Sequence, residues 1–236
     1  MLKVGDIISY NTMCKEENSS LQRGMNFHLN NSTSVILMSV RAGAPYQDSI
    51  QDEGQVLIYE GHDVPKKNGQ DIDPKTVDQP MYTEYGSLTE NGKFFNAAMK
   101  YKDCKTNPER VKVYEKIKSG IWVYNGYFHL VGAKPFHDGI RNVFKFQLDM
   151  IDDDLLNISE DKPLSSLKLE HNRLIPTPVK VAVYARDKGV CVKCGSNKNL
   201  HYDHIIPFSK GGSSTTVDNI QLLCAACNLK KHDNIE

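Results

Sequence analysis

The sequence predicts an α+β protein in two parts: a β-rich module with few helices, followed by a small module closed around a metal. Three observations carry this. Residues 1–150 contain short alternating apolar runs separated by turn residues, the period-two pattern of half-buried strands. The character changes over residues 151–176, where acidic, poorly periodic sequence runs into Ile175-Pro-Thr-Pro178. Two Cys-x-x-C pairs, Cys191/Cys194 and Cys224/Cys227, then bracket the last part of the chain.

In order along the chain, strands are expected at 34–40, 55–59, 111–114, 121–124, 127–131 and 142–148. Turn chemistry separates them at Asp52-Glu-Gly54, Lys67-Asn-Gly69, Lys118-Ser-Gly120 and His137-Asp-Gly139. Asn125-Gly126 lies between two apolar runs and signals a hairpin or a bulge. A helix is expected over 87–101, with Thr89 as its cap and Phe94, Phe95, Ala98 and Met99 on one face. The linker leaves room for a short helix at 163–174, and a further helix over 179–188 ends at Gly189. The expected division is therefore 1–150, a linker at 151–176, and 177–236.

Lysines and arginines balance aspartates and glutamates at 29 each. Residues 1–155 carry 18 basic and 21 acidic side chains and residues 156–236 carry 11 and 8. The small C-terminal excess suits a polyanionic partner without arguing for one alone. No apolar run is long enough to span a bilayer, and the opening residues Met1–Asp6 lack the apolar stretch of a secretory leader. A reducing, cytoplasmic location is expected, and there paired Cys-x-x-C motifs read as zinc sites rather than disulfides. Cys14 and Cys104 are expected to be free thiols without a role.

The two pairs together supply four thiolates, a complete tetrahedral set for a structural Zn2+. A module of about sixty residues has a thin core and gains stability from such a clamp. A zinc closed by four cysteines has no open position for chemistry. The residues between the pairs therefore need a separate account: Asp203-His204, the Gly-rich Lys210–Ser214, Asn219, and Asn228-Leu-Lys-Lys231. Neighbours on a strand point to opposite faces, but at a strand end or bulge an Asp and a His can serve one site, carboxylate to metal and imidazole to water.

Taken in order, Cys-x2-Cys, Asp-His-Ile-Ile-Pro, Gly-Gly, Asp-Asn and Cys-x2-Cys-Asn-x2-Lys resemble the HNH nucleases, a ββα-metal fold, over Val179–His232. The resemblance implies His204 as the general base on the attacking water. It implies Asp203 and Asn228 as ligands of one catalytic Mg2+ or Mn2+, Asn219 as the brace of the loop, and Lys230 or Lys231 on DNA phosphates. His201 and His232 are expected to pack or to lie in the tail without a role.

In the first module, the run Ala44-Pro-Tyr46-Gln-Asp48-Ser49 precedes Gln55-Val-Leu-Ile-Tyr59-Glu-Gly61. Asp78-Gln79, Asn96-Ala-Ala98, Arg110–Val113, Trp122–Phe128 and Asn142–Leu148 follow, with Tyr124-Asn125-Gly126 in place of a Tyr-Asp-Gly hallmark. This order resembles the SRA (SET- and RING-associated) domain. The resemblance implies a curved, PUA-like β-barrel with flanking helices that flips modified cytosine out of duplex DNA. Tyr46 and Tyr59 match the stacking aromatics, and Asp48 would accept from the cytosine amino group, with Ser49 the alternative by strict count. Loops 61–73, with Lys66 and Lys67 on backbone phosphates, and 133–139 would wedge into the duplex.

Together the two resemblances imply a modification-dependent restriction endonuclease acting on double-stranded DNA that carries 5-methyl- or 5-hydroxymethylcytosine. One HNH site cuts one strand, so a homodimer or two binding events would make a double-strand break. The alternatives are an HNH endonuclease whose β-domain reads sequence or shape, and a zinc DNA-binding protein without catalysis.

Overall fold

The computed structural model describes residues 2–65, 72–151 and 174–231. The expected helix within 163–174 and the Lys67-Asn-Gly69 turn fall outside the described residues. Strand β1 (Ile7–Ser9) passes straight into helix α1 (Tyr10–Glu16). Ser9 makes this junction, because its hydroxyl accepts the Thr12 N–H at 3.1 Å and caps the helix. Strands β2 (Met25–Asn26), β3 (Ser34–Met38), β4 (Ser49–Gln51) and β5 (Val56–Glu60) follow. Helix α2 (Glu90–Lys102) precedes three long strands, β6 (Glu109–Lys118), β7 (Ile121–His137) and β8 (Asn142–Met150).

These strands form one sheet in the order β2-β3-β6-β7-β8-β5-β4, with β1 paired to one end of β7. All pairs are antiparallel except β3 with β6. The outer strands β2 and β4 do not pair with each other, so among the described residues the sheet is open. The closed barrel implied by the sequence resemblance is not formed, because the two edges are only two and three residues long and offer too little ladder to join.

The two strands expected at 121–124 and 127–131 are one strand. Asn125-Gly126 is a bulge within β7, not a turn. Gly126 has φ +90°, and the β6–β7 register shifts opposite it. The bulge aims the Asn125 side chain inward, where it is fully buried. The Lys118–Gly120 and His137–Gly139 turns close their hairpins as expected, with positive φ at Gly120 and Gly139.

Helix α2 follows its sequence pattern. Thr89 caps it by accepting the Gly92 N–H at 3.2 Å, Glu90 opens it, and Lys100 and Lys102 close it, so charges oppose the helix dipole at both ends. Phe94 and Ala98 face the sheet and join Ile36, Leu57, Val111, Val113, Phe128, Phe146 and Leu148 in the main core. A smaller core behind the sheet holds Met13 of α1 against Val35, Tyr114, Trp122 and Tyr124.

Helix α3 (Thr177–Arg186) starts the second module, with Pro178 in its first turn, where a missing N–H costs nothing. Gly189 ends it with φ +66°. Its apolar face, Val179 and Val183, packs with Tyr202, Leu222 and Leu223 of the second module and also with Ile117 and Val123 of the sheet. Residues at the linker's end divide between the two modules: Leu174 enters the first core and Ile175 the second. No helix among the described residues is long and apolar enough to cross a membrane.

A buried polar group crosses this junction. The Lys180 ammonium lies 2.7 Å from Glu115 Oε2 and 2.8 Å from Asn125 Oδ1. Asn125 Nδ2 donates to Glu115 Oε2 at 3.0 Å, and the Thr177 hydroxyl donates to Glu115 Oε1. Removing one member of a buried ion pair strands the other. Lys180→Met is therefore expected to destabilise the protein by about 3–5 kcal/mol in urea unfolding. Adding Glu115→Gln should recover part of that loss, because the residual buried charge is gone.

Candidate functional site

The second module sets helix α3 against a β-hairpin and a short terminal helix. Strands β9 (Leu200–His204) and β10 (Ile220–Cys224) pair antiparallel, with Asp203 opposite Gln221 and His204 opposite Ile220. Helix α4 (Ala225–Lys231) leaves directly from β10.

The four cysteines converge on one point. Cys191 lies in a tight turn closed by Gly195 N–H to Cys191 O at 2.8 Å and Cys191 N–H to Ser196 O at 2.7 Å. Cys224 ends β10 and Cys227 lies in the first turn of α4. All four sulfurs lie within 4.8 Å of one another, and Cys194 Sγ is 3.6 Å from Cys224 Sγ. Tetrahedral zinc–thiolate bonds of about 2.3 Å separate sulfurs by about 3.8 Å, so the geometry fits zinc. The chemistry fits as well. Burial alone would raise Cys191, but backbone N–H groups of Cys224, Cys194 and Lys193 bring it down to about 6. Hydrogen bonds to Cys224 and Cys194 push Cys227 up to about 12. Four crowded sulfurs competing for protons are what a divalent cation resolves by binding all as thiolates.

The second cluster lies at the end of β9. Asp203 Oδ2 accepts from Gln221 Nε2 at 3.1 Å and lies 3.1 Å from Lys231 Nζ. His204 Nε2 is 2.8 Å from Ser214 Oγ, so that nitrogen is engaged within the protein. Burial, helped by the Lys231 charge and opposed by Asp203, holds the imidazole below its ordinary 6.5, so the ring is neutral at neutral pH. Asn228 is half-buried on α4, the helix that packs on this hairpin. The carboxylate of Asp203 and the amide oxygen of Asn228 are hard donors of the kind magnesium and manganese take.

Asn219 closes the loop between His204 and β10. Its Oδ1 accepts the Ile206 N–H at 2.8 Å, and its Nδ2 donates to Ile206 O and Ser213 O at 3.1 and 3.0 Å. Gly212 fits beneath this brace only because it lacks a side chain: a Cβ there would lie 1.8 Å from Ile206 O.

The two lysines expected on phosphates part company. Lys230 is exposed. Lys231 is 2% exposed, with its ammonium 2.6 Å from His204 O and on Asp203. It is a member of the cluster and does not face solvent, because the helical turn directs it back over β9. Lys66, Lys67 and His232 lie outside the described residues.

In the first module the sheet brings Tyr46, Asp48 and Tyr59 together. Asp48 is buried, with Oδ2 accepting the Ser39 N–H and Oδ1 the Glu60 N–H, each at 3.0 Å. Burial raises its carboxyl to about 7 against those two bonds. Tyr59 is raised well above its ordinary value, by burial first and then by the nearby charges of Asp48, Tyr46 and Glu60. It is 3% exposed and belongs to the main core, so it is the floor of the cluster rather than an open wall. Tyr46 is half-buried, with Lys75 Nζ 4.0 Å from its ring centre. Ser49 opens β4, is half-buried and meets Gln51 Nε2 at 3.4 Å. Asp48 precedes the strand, is buried, and its charge acts on Tyr59.

Residues 191–234 match the HNH endonuclease family. The HNH segment thus contains both cysteine pairs, Asp203, His204, Asn219 and Asn228. The chain is also 31% identical over 80 residues to the type IV methyl-directed restriction enzyme EcoKMcrA of Escherichia coli (strain K12), an overlap of 30% of this chain and 28% of that enzyme. It therefore spans less than a third of that relative. Among solved structures, the SUVH5 SRA complex with hemimethylated CG DNA overlaps 64% of this chain and 89% of its own, at 23% identity and a TM-score of 0.42. The SUVH5 SRA structure bound to fully hydroxymethylated CG DNA gives 22% identity and a TM-score of 0.44 over the same shares.

Several site residues had no signal in the sequence. Ser214 and Gln221 orient His204 and Asp203 from across the hairpin. In the first module Glu60 Oε2 accepts the Gln47 N–H at 3.0 Å, and Lys145 donates to Gln47 O at 2.9 Å and to Glu60 at 2.8 Å. This pair fixes both backbone groups of the residue between Tyr46 and Asp48. Only register across strands reveals such partners; the Gly-Gly-Ser-Ser run after His204 was the one local hint.

Gly212→Ala tests the brace in the HNH segment. Its Cβ has no room against Ile206 O, so the loop must open and Ser214 must leave His204. Zinc content and the far-ultraviolet circular dichroism spectrum should stay as in wild type, while any nuclease activity falls by about 100-fold, the scale of an ångström-level misplacement.

Proposed function

We propose that this protein is an endonuclease dependent on cytosine modification, with residues 1–150 as reader and the HNH segment as the cutting site. The observation that carries the nuclease half is the cluster at the end of β9: a neutral, half-buried His204 beside Asp203, with Lys231 of α4 on both. The reader half rests on Asp48, a buried acceptor between two tyrosines, together with the order of motifs in the first module. The matched Escherichia coli enzyme is methyl-directed by its name, which agrees with this reading.

The chemistry follows from the residues. His204 accepts a proton from water at Nδ1 while Ser214 holds Nε2, and the hydroxide attacks phosphorus. The bond to the 3′ oxygen breaks, and that oxygen takes a proton from solvent. Asp203 and Asn228 would hold a divalent ion, magnesium or manganese, which would supply positive charge to offset the charge that develops in the reaction. Asn219 keeps the loop, and through it Ser214, in place. Zinc on Cys191, Cys194, Cys224 and Cys227 supports the hairpin without reacting.

In the reader, a flipped base stacks on Tyr46 over the Tyr59 floor, and Asp48 accepts from its amino group. Stacking contributes about 1–3 kcal/mol per base, against a flipping cost of a few kcal/mol. Lys230 faces solvent and meets backbone phosphate. A double-strand break calls for two HNH sites, and a homodimer supplies them.

Cleavage of matched plasmids with and without 5-methyl- or 5-hydroxymethylcytosine, with magnesium or manganese, tests the whole reading; equal cleavage of all forms would refute it. His204→Ala should lower the rate by about 10²- to 10⁴-fold, the range of general-base catalysis. Because burial and Lys231 hold His204 below 6.5, the rate should stay flat through neutral pH and decline only as pH falls below that value. An acid limb centred above 7 would remove His204 as the base.

Asp48 gives a second pH signature. Its raised carboxyl, near 7, is protonated at pH 6 and a poorer acceptor. Affinity for modified DNA should therefore rise between pH 6 and 8 in wild type and stay flat in Asp48→Asn, measured by fluorescence anisotropy. A slope shared by both proteins would exclude Asp48 as the reading group.

A further inference from the structure

Residues 5–9 run between the two modules and bond to both. On one side Gly5 N–H donates to Tyr124 O at 2.9 Å, Tyr124 N–H donates to Asp6 O at 3.0 Å, and Ile7 pairs with Val123 of β7. On the other side Tyr202 N–H donates to Gly5 O at 3.3 Å, and Asp6 forms a bridge with His201 of β9. The hairpin β10-β9 is thereby spliced through Gly5-Asp6 onto β7 of the large sheet.

The side chains repeat the connection. Asp6 Oδ1 lies 3.2 Å from His201 Nδ1, and Asp6 Oδ2 accepts the Lys3 N–H at 2.8 Å. His201 is 8% exposed, and its Nε2 is buried with no partner among the described residues. Among the described residues Asp6 is thus the sole side-chain tie of this imidazole. Asp203 follows His201 by two residues and His204 by three, so the tie sits directly behind the cutting residues. The buried group of Glu115, Asn125, Thr177 and Lys180 makes a second attachment, at α3. One attachment leaves a hinge; two on different elements of the module remove rotation about either. Shared apolar packing of Ile117 and Val123 with Val179, Val183 and Leu222 fills the space between them.

We propose that Asp6 is a positioning residue of the nuclease site, and that the Gly5–Ser9 segment locks reader and nuclease into one body that cuts at a fixed offset from the base it captures. The offset rests on the reading under Proposed function; the lock does not. Domains joined by a linker alone move relative to each other and would scatter their cuts.

The test maps cuts on an end-labelled duplex with a single 5-methylcytosine. Wild type should cut at one dominant position. Asp6→Ala should lose rate there by about 10-fold or more, since displacements near 1 Å cost up to about 100-fold, and should spread cuts to neighbouring positions while affinity for the duplex is kept. Asp6→Asn, whose amide oxygen still accepts from His201, should restore the pattern. An unchanged rate and position in Asp6→Ala overturns the proposal. If wild type cuts modified and unmodified duplexes alike, the reader assignment fails and the lock is judged by hydrogen exchange. Faster exchange of the β9 amides, Tyr202 among them, in Asp6→Ala supports it, and exchange equal to wild type overturns it.

Discussion

The buried Glu115–Lys180 pair is the constraint on which the arrangement of this protein depends. Taking both charges out of water is costly, and the cost is offset only if nearly every remaining hydrogen-bonding position is filled. Here the filling comes from four residues on three elements: Glu115 on β6, Asn125 at the β7 bulge, and Thr177 and Lys180 on α3. No single element can satisfy the group. The sheet and the helix that opens the nuclease module are therefore stable in this form only together. The bulge itself is part of the same arrangement, since positive φ at Gly126 turns Asn125 inward.

The second module is built on an apolar core of Val183, Leu200, Ile220, Leu222 and Leu223. Polar ties set its finer geometry. Four sulfurs gather within 4.8 Å of one another where β10 meets α4, Asn219 sews the loop shut at three backbone atoms, and Lys231 links the end of α4 to Asp203 and to the His204 carbonyl. Burial and the Lys231 charge also keep His204 neutral, so one arrangement supplies both geometry and protonation state. The hydroxyl of Ser214 is the smaller counterpart, holding one ring nitrogen of His204.

The first module relies on buried charge as well. Asp48, Glu60, Asp63, Lys145 and Arg141 are charged side chains at or near the sheet interior, and each is engaged by a backbone group or an opposite charge. Arg141 lies 2.6 Å from Asp63 and donates to the carbonyls of Pro74 and Val77. Such networks rigidify when complete. The segment from Tyr46 to Asp48 is held on both sides of Gln47, so its side chains are placed by backbone clamps as well as by their own packing.

Much of this was legible in the chain itself. Periodicity located β3, β5, β6, β7, β8 and α2, because half-buried sheets and one-sided helices write their faces into every second or every third and fourth residue; the short β1, β2 and β4 and helix α1 carry too few residues to show a period. The spacing of Cys191, Cys194, Cys224 and Cys227 pointed to four thiols that the fold does gather within 4.8 Å, and Asp203, His204, Asn219 and Asn228 stood out as the candidates of the HNH segment. What local sequence could not contain were facts about partners distant in the chain. Asn125-Gly126 reads equally as turn or bulge until β6 lies beside it. Asp48 and Ser49 are indistinguishable until the fold buries the first and leaves the second half-exposed. Lys231 looks like a surface cation until the hairpin closes over it, and Asp6 looks inert until His201 arrives nearly two hundred residues later. The sequence determined which groups exist and which element each belongs to; only the tertiary structure decided which of them meet, since burial and pairing are properties of the folded whole.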